Sequence, residues 1–327
     1  MPKNTWIRHQ ILGVASVAVL VSVIFLIWYK ASTPPEVIAA KLPEQVVFAH
    51  TSDDIIDAGV MFTPASDHAK PVAIIWIHGW GVNFYQPTYV GIGRELAALG
   101  YTVIIGNTRM HDLGNVEAWR GATRIRGGGY WGMSRDEVRD LAAWIDFAES
   151  RGFKKVILVG HSAGWAGVRG YQSEKQDPRV IGMVLASGEV HSGLGPMDPD
   201  QLAEAKRLMA EGEADALIRD PKRSYPSYIS AATFLDIANS PAALKDFFGE
   251  QTPNAGITRI HCPLLAFFGT QGDVGSQADL DKLKSTIQRQ PSGPSRVTTA
   301  AIQGADHMYT GQEAQVAQVI AKWADTL

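Results

Sequence analysis

"KKVILVGHSAGWAG", residues 154–167, decides how this chain folds. The apolar run Val156 to Val159 stops at Gly160, and His161 and Ser162 follow before the small pair Ala163–Gly164. A short apolar run that ends in small residues reads as a strand turning sharply into a helix. At the tip of such a turn there is no room for a Cβ two residues to either side, which places glycine at both flanking positions. Ser162 then projects from the carboxyl edge of a strand, as a nucleophile or as a plain turn residue.

The flanking sequence repeats the same alternation. "VAIIWI", residues 72–77, is a continuous apolar run of strand length and ends abruptly in "HGWG". The pattern is that of a strand buried on both faces. A helix follows, with Val90, Leu96, Ala97 and Leu99 apolar, and Gly100 is placed to end it. "YTVIIGN" (101–107) is a strand and "SRDEVRDLAAWIDFAES" (134–150) a helix whose stripe is Val138, Leu141, Ala142 and Ile145. Ser134 with Glu137 three residues on gives that helix an expected capping box. "RVIGMVLAS" (179–187), "PLLAFFG" (263–269) and "RVTTAAI" (296–302) read as further strands, and residues 311–327 as a final helix. "EQVVFAH" and "GVMFTP", joined by "TSDDIID", form an opening hairpin. Strands alternating with helices imply an α/β fold, a mostly parallel central sheet with helices on both faces. Residues 190–257 break the rhythm with two helical stretches and no buried strand between them, which reads as a helical cap insertion.

With 327 residues, 46% of them hydrophobic, the chain can bury a large core. The net charge of −3 is small and both signs are scattered, which argues against nucleic acid as a partner. The single cysteine, Cys262, rules out an intrachain disulfide and sits in an apolar, strand-like setting that suits an inert thiol. No Cys or His cluster has metal-ligand spacing and no phosphate-binding glycine loop follows a first strand, so neither metal nor cofactor is expected.

The N-terminus has a different character. Ile11 to Tyr29 pass without a charge, and at about 1.5 Å per residue a helix of this length nearly spans the ~30 Å hydrocarbon core of a bilayer. Lys3 and Arg8 precede it, and Trp6, Trp28 and Tyr29 lie near its ends. Residues 1–30 are therefore expected to be an N-terminal transmembrane helix, an uncleaved single-pass membrane anchor that leaves the body of the protein exported. A signal removed on secretion is the alternative reading. Residues 31–44, with Pro34 and Pro35, are the linker, and 45–327 the folded domain.

A serine hydroxyl needs a base within hydrogen-bond reach, itself oriented by a carboxylate. "IQGADHMYTG" places His307 in a loop after one strand, and "FFGTQGDVGS" places Asp273 in a loop after the strand before it. Both loops belong to the strand edge at which Ser162 points. In the order Ser162, Asp273, His307, with the Gly-x-Ser-x-Gly elbow, the chain resembles the α/β-hydrolase superfamily of serine esterases and lipases over residues 45–327. Glu189, after the strand that follows the elbow helix, is the alternative acid, because some members carry it there.

The resemblance extends to "HGWG" (78–81), which stands at the family's oxyanion loop, with the backbone N–H groups of Trp80 and Ala163 as the implied donors. Donors of this kind are worth about 2.7–4 kcal/mol each. "NTRMHD" (107–112) departs from the Asp-x-Arg-Gly loop of many members, and together with "HGWGVNFY" it distantly resembles a subgroup that includes siderophore esterases. Asn107 and Asp112 read equally as residues that bond loop backbone. "WRGATRIRGGGYWGM" (119–133) mixes Arg120, Arg124 and Arg126 with Trp119, Tyr130 and Trp131, either as a flap over substrate or as a solvated loop. What the resemblance implies is a hydrolase that cleaves a small-molecule carboxylic ester through a covalent acyl-enzyme. Thioesterase, lactonase or acyltransferase chemistry on the same three residues stays open, as does a non-hydrolytic relative of the fold.

Overall fold

The computed structural model describes residues 43–327, apart from 66, 68, 121–122, 189–197, 220–226 and 253. The expected anchor (1–30), nearly all of the linker and the alternative acid Glu189 lie outside the described residues. Among those described, no helix is long and apolar enough to cross a membrane.

The sheet is built from eight strands: β1 (Glu44–His50), β2 (Ile56–Phe62), β3 (Val72–Ile77), β4 (Thr102–Gly106), β5 (Lys155–His161), β6 (Val180–Ala186), β7 (Leu264–Gly269) and β8 (Val297–Ile302). They lie in the order β1-β2-β4-β3-β5-β6-β7-β8. The opening hairpin pairs antiparallel, β2 also runs antiparallel to β4, and every pairing from β4 through β8 is parallel. Parallel strands must send their carboxyl ends to one edge, so the loops that follow β3, β5, β6, β7 and β8 converge there.

Successive residues of β5 show why these runs are apolar throughout. Val156 and Leu158 pack into one core, Ile157 and Val159 into the other. A strand with both faces covered has no polar side to alternate with. The first core is closed by Leu141, Trp144 and Ala148 of α2 (Glu137–Ser150), Trp165 and Val168 of α3 (Gly164–Lys175), and Leu280, Leu283 and Ile287 of α6 (Gln277–Gln288). The second is closed by Tyr89, Ile92 and Leu96 of α1 (Pro87–Ala98) and Val316, Ile320 and Trp323 of α7 (Glu313–Ala324).

Helix α6 was not anticipated from the sequence, although its start has a local cause: Ser276 and Asp279 form a reciprocal capping box. The capping box expected at Ser134 and Glu137 is absent. Residues 134–136 make a 3-10 turn, α2 begins at Glu137, and no side chain caps it. Both residues are engaged elsewhere: the Ser134 hydroxyl donates to Asp236, and Glu137 is buried against Thr108.

Between β6 and β7, α4 (Pro199–Ala210) and α5 (Ala231–Ala238) supply the helical stretches. A short antiparallel ribbon, Leu217–Arg219 with Tyr228–Ser230, lies between them where no strand was expected. Its few residues escape notice because Ile218 alone of that strand is buried. Ile218 joins Ala205, Leu208, Ala231 and Phe234 in a small core of the insertion's own. A second ribbon, Asn115–Arg120 with Thr123–Gly127, occupies the stretch read as a flap.

Candidate active site

Ser162 holds φ +51°, a left-handed conformation that costs a residue with a Cβ about 1–2 kcal/mol. The surroundings enforce it. A Cβ on Gly160 would stand 2.4 Å from the Gly164 carbonyl oxygen, and one on Gly164 would stand 2.6 Å from that of His78. The strand and the helix therefore approach more closely at the elbow than any larger residue permits. The Ser162 N–H donates to the Ala186 carbonyl at the end of β6 (2.9 Å), which fixes the tip against the neighbouring strand.

The loops after β7 and β8 bring the two expected partners to it. His307 Nε2 lies 3.0 Å from Ser162 Oγ, and His307 Nδ1 lies 2.9 Å from Asp273 Oδ1. An ionised carboxylate only accepts, so Nδ1 carries the proton and Nε2 is left to accept from the serine. The Asp273 side chain is fully buried, that of His307 about a third exposed. Burial works to raise the Asp273 pKa. Donors from His307, Ser187 and the N–H groups of Gly269 and Val274 outweigh it and hold the carboxyl below the usual carboxylate range.

Four supporting side chains escaped the sequence reading. Ser187, directly after β6, donates its hydroxyl to Asp273 Oδ2, and the Tyr309 phenol stands 2.5 Å from the same Ser187 oxygen. His161 and Tyr89 form a separate chain. Tyr89 donates to His161 Nδ1 (2.7 Å), and His161 Nε2 donates to the His307 carbonyl (2.8 Å). The Gly79 N–H in turn donates to the Tyr89 oxygen (3.2 Å), so the "HGWG" loop, α1, the elbow and the His307 loop are joined in one line. Burial and the neighbouring His307 push the His161 pKa down to about 3, which keeps the ring neutral and in one tautomer. His161 is thus scaffolding that holds the His307 loop against the elbow.

The "HGWG" loop reaches the serine through Gly79. A Cβ there would lie 2.9 Å from Ser162 Cβ. The backbone N–H groups of Trp80 and Ala163 have no hydrogen-bond partner among the described residues. Beneath the loop, His78 donates from Nδ1 to the Gly79 carbonyl and accepts the Thr108 N–H at Nε2 (3.1 Å). Burial lowers its pKa to about 4. Thr108 also donates to Glu137 (3.1 Å), whose carboxyl is pushed up to about 8 by burial and by the nearby Asp140.

The departure from the commoner family loop at "NTRMHD" has a structural content. Arg109 is buried in a paired contact with Asp140 (2.7 Å) and reaches Asp53 in the β1–β2 turn (3.0 Å). Asn107 accepts the Phe84 N–H (2.8 Å), and Asp112 accepts from Asn83 (2.7 Å). Asn107 thus bonds loop backbone, and Asp112 ties one loop to the next. From the expected flap, Tyr130 packs on Trp80 and on Tyr228 (ring centroids 6.4 and 6.1 Å apart). Trp131 Nε1 donates to the Asp215 carbonyl (3.0 Å). The insertion therefore rests on the segment that covers Trp80. Cys262 is partly buried, and burial raises its thiol pKa to about 11. Among the described residues no group of three or more His, Cys, Asp or Glu could hold a metal ion.

A family model described as "Alpha/beta hydrolase family" matches residues 74–319. No curated protein matches in sequence. Among solved structures, the chain is similar to Est1E from Butyrivibrio proteoclasticus with ferulic acid bound, at 13% identity and a TM-score of 0.59, covering 85% of this chain and 97% of that one. It is similar to the esterase domain of a Rhodothermus marinus protein at 18% identity and a TM-score of 0.52, covering 86% and 98%. A soluble variant of monoglyceride lipase from Saccharomyces cerevisiae matches at 15% identity and a TM-score of 0.58, covering 90% and 99%.

Proposed function

This chain belongs to the alpha/beta hydrolase family, and from that premise we propose that it hydrolyses a carboxylic ester with Ser162 as nucleophile, His307 as base and Asp273 as orienting acid. The observation that carries the proposal is the unbroken line Ser162 Oγ, His307 Nε2, His307 Nδ1, Asp273 Oδ1, with spacings of 3.0 and 2.9 Å, at an elbow held in a left-handed conformation.

Ser162 Oγ attacks the ester carbonyl carbon as its proton passes to His307 Nε2. The carbonyl oxygen becomes an oxyanion, and the N–H groups of Trp80 and Ala163, which have no partner among the described residues, are the donors available to it. Asp273 stabilises the imidazolium, which then protonates the leaving alcohol. Water, deprotonated by His307, attacks the acyl-serine; the second tetrahedral intermediate collapses with cleavage of the acyl carbon–Oγ bond, His307 returns the proton to Ser162 Oγ, and the carboxylic acid leaves. Residues 190–257 act as the cap over this edge and set the size of the acyl and alcohol sites. Residues 1–30 hold the domain to a membrane with the hydrolase exported; a mass measurement of the mature chain tests this, and loss of residues 1–31 would refute it.

Labelling by a fluorophosphonate tests the nucleophile. Wild type takes up one equivalent at Ser162 and Ser162→Ala takes up none; a folded wild-type chain that resists labelling refutes the assignment. The substrate panel includes p-nitrophenyl esters of graded length, a hydroxycinnamoyl ester and a monoacylglycerol, the last two chosen from what the similar structures bind or are named for. Thioesters and lactones in the same panel decide between ester hydrolysis and its neighbouring chemistries.

A further inference from the structure

Three residues of the hydrogen-bond network that joins Ser162, His307 and Asp273, none of them glycine, hold a left-handed backbone: Ser162 at φ +51°, Ser187 at +49° and Tyr309 at +61°. The first is accounted for by the elbow. The other two are both fully buried, lie far apart in sequence, and meet through their hydroxyls. Backbone strain of this kind persists where the surrounding structure holds it.

The direction of the hydroxyl chain follows from proton counting. Asp273 is ionised and can only accept, so the Ser187 proton is committed to Asp273 Oδ2. The Ser187 oxygen is then free only as an acceptor, and Tyr309 must donate to it. Burial pushes the Tyr309 phenol pKa well up, so that proton stays in place. Oδ2 of Asp273 is thereby fixed by a hydroxyl whose own oxygen is polarised by a second hydroxyl, and such chains strengthen one another. The other carboxylate oxygen is left to His307.

We propose that Ser187 and Tyr309 are positioning residues that aim Asp273 at His307 and set how strongly its carboxylate attracts the imidazole proton, with Tyr309 acting through Ser187. The inference rests on the reading of Ser162, His307 and Asp273 given above. Tyr309 stands two residues after His307, so the loop that delivers the base also delivers the group that steadies the acid. Its ring meets His161 edge-on (centroids 5.4 Å apart) and packs on Phe267 of β7, which leaves the phenol a single direction.

With the Ser187 hydroxyl gone, Asp273 keeps a less stabilised carboxylate, which holds the His307 imidazolium more strongly. The other ionisable groups near this pair do not titrate with it. His161 stays neutral down to about pH 3, and burial pushes the Tyr89 phenol pKa far up. Asp306 is tied to the N–H groups of Met308 and Thr310, which lower its pKa.

The test is the rate of Ser162 labelling by a fluorophosphonate between pH 5 and pH 9 (about the range in which a histidine titrates) on the full chain. Ser187→Ala lowers the plateau about tenfold or more and moves the midpoint upward. Ser187→Gly, which keeps the left-handed backbone, gives the same midpoint. Tyr309→Phe, nearly isosteric, shifts both in the same direction by less, and the double variant with Ser187→Ala is no slower than Ser187→Ala within about twofold. Unmoved midpoints in both single variants, or a Tyr309→Phe effect that adds in full onto Ser187→Ala, overturns the inference while leaving the triad in place. A wild-type chain that does not label at Ser162 overturns both.

Discussion

Acidification tests the buried scaffold of the site directly, and His161 gives the sharpest handle. Its pKa is about 3 in the folded chain against an ordinary 6.5. Between those values the unfolded chain binds a proton that the folded chain refuses, so stability falls as pH drops through the window, by up to about 1.4 kcal/mol per pH unit. Taken from pH 6.5 to pH 4 this is about 3 kcal/mol from one ring. His78, lowered to about 4, acts in the same direction. Glu137 acts oppositely: its pKa is raised from 4.5 to about 8, so its contribution is fully present below 4.5 and is lost as pH rises through 8. Between pH 4.5 and 6.5, two histidines set against one carboxyl leave a net slope of about one proton. Urea unfolding of wild type, His161→Gln and Glu137→Gln at half-unit steps separates the three. His161→Gln lowers the slope below pH 6.5 by about one proton, whatever its offset at neutral pH, whereas Glu137→Gln steepens the rise between 4.5 and 6.5 by up to one and flattens the fall between 6.5 and 8. Carboxylates common to all variants cancel in these differences. A His161→Gln curve parallel to wild type from pH 6.5 to pH 4 would refute the account of a neutral, buried imidazole tying the elbow to the His307 loop.

Three further outcomes follow from single contacts. Ser162→Ala and Ser162→Gly both lose ester hydrolysis, yet only glycine relieves the left-handed backbone, so the glycine variant is the more stable by about 1 kcal/mol in thermal unfolding; equal stabilities would mean the elbow stores no strain. Gly79→Ala puts a Cβ 2.9 Å from Ser162 Cβ and must displace the loop that carries the Trp80 N–H; kcat falls about 100-fold with KM little changed, and a drop of less than about threefold would count against an oxyanion role for that loop. Asp236→Ala removes the carboxylate that accepts from Ser134 and Arg135 (3.1 and 2.6 Å), which loosens the insertion from the segment before α2; limited proteolysis between β6 and β7 accelerates while the unfolding midpoint of the sheet domain moves by only a few degrees.

The central sheet and the elbow were legible because their causes are local. A run such as Val72–Ile77 is apolar at every position since both faces of its strand are covered, and the five residues around Ser162 carry the steric demand of the turn in their own composition. Chain order did the rest for Asp273 and His307, as each lies in a loop directly after a strand whose end is fixed by the sheet. The expectation at Ser134 failed for the opposite reason. A Ser-x-x-Glu spacing is satisfied by a capping box only when nothing else claims the two side chains, and here Asp236, 102 residues away, takes one while Thr108 takes the other. The ribbon inside the insertion and helix α6 were missed because their buried faces are small or lie against partners distant in sequence.

What the sequence did not disclose is how the side chains of Ser162, His307 and Asp273 are held, and the separations explain why. Ser187 meets Asp273 across 86 residues and Tyr309 across 122, while Tyr89 meets His161 across 72. None of these pairs has a spacing rule, because each exists only after the parallel strands have carried their loops to a common edge. Ser187 and Tyr309 also adopt backbone angles that composition assigns to glycine or asparagine. In that region Ser187 places its hydroxyl on Asp273 Oδ2 and Tyr309 places its own on Ser187, whereas glycine at 187 would relax the backbone and leave Asp273 Oδ2 without its hydroxyl donor. The elbow obeys the same trade at Ser162, where strain is tolerated so that Oγ can stand before His307. Local sterics thus locate Ser162 at its elbow, and long-range hydrogen bonds, visible only in three dimensions, determine how His307 is aimed at it.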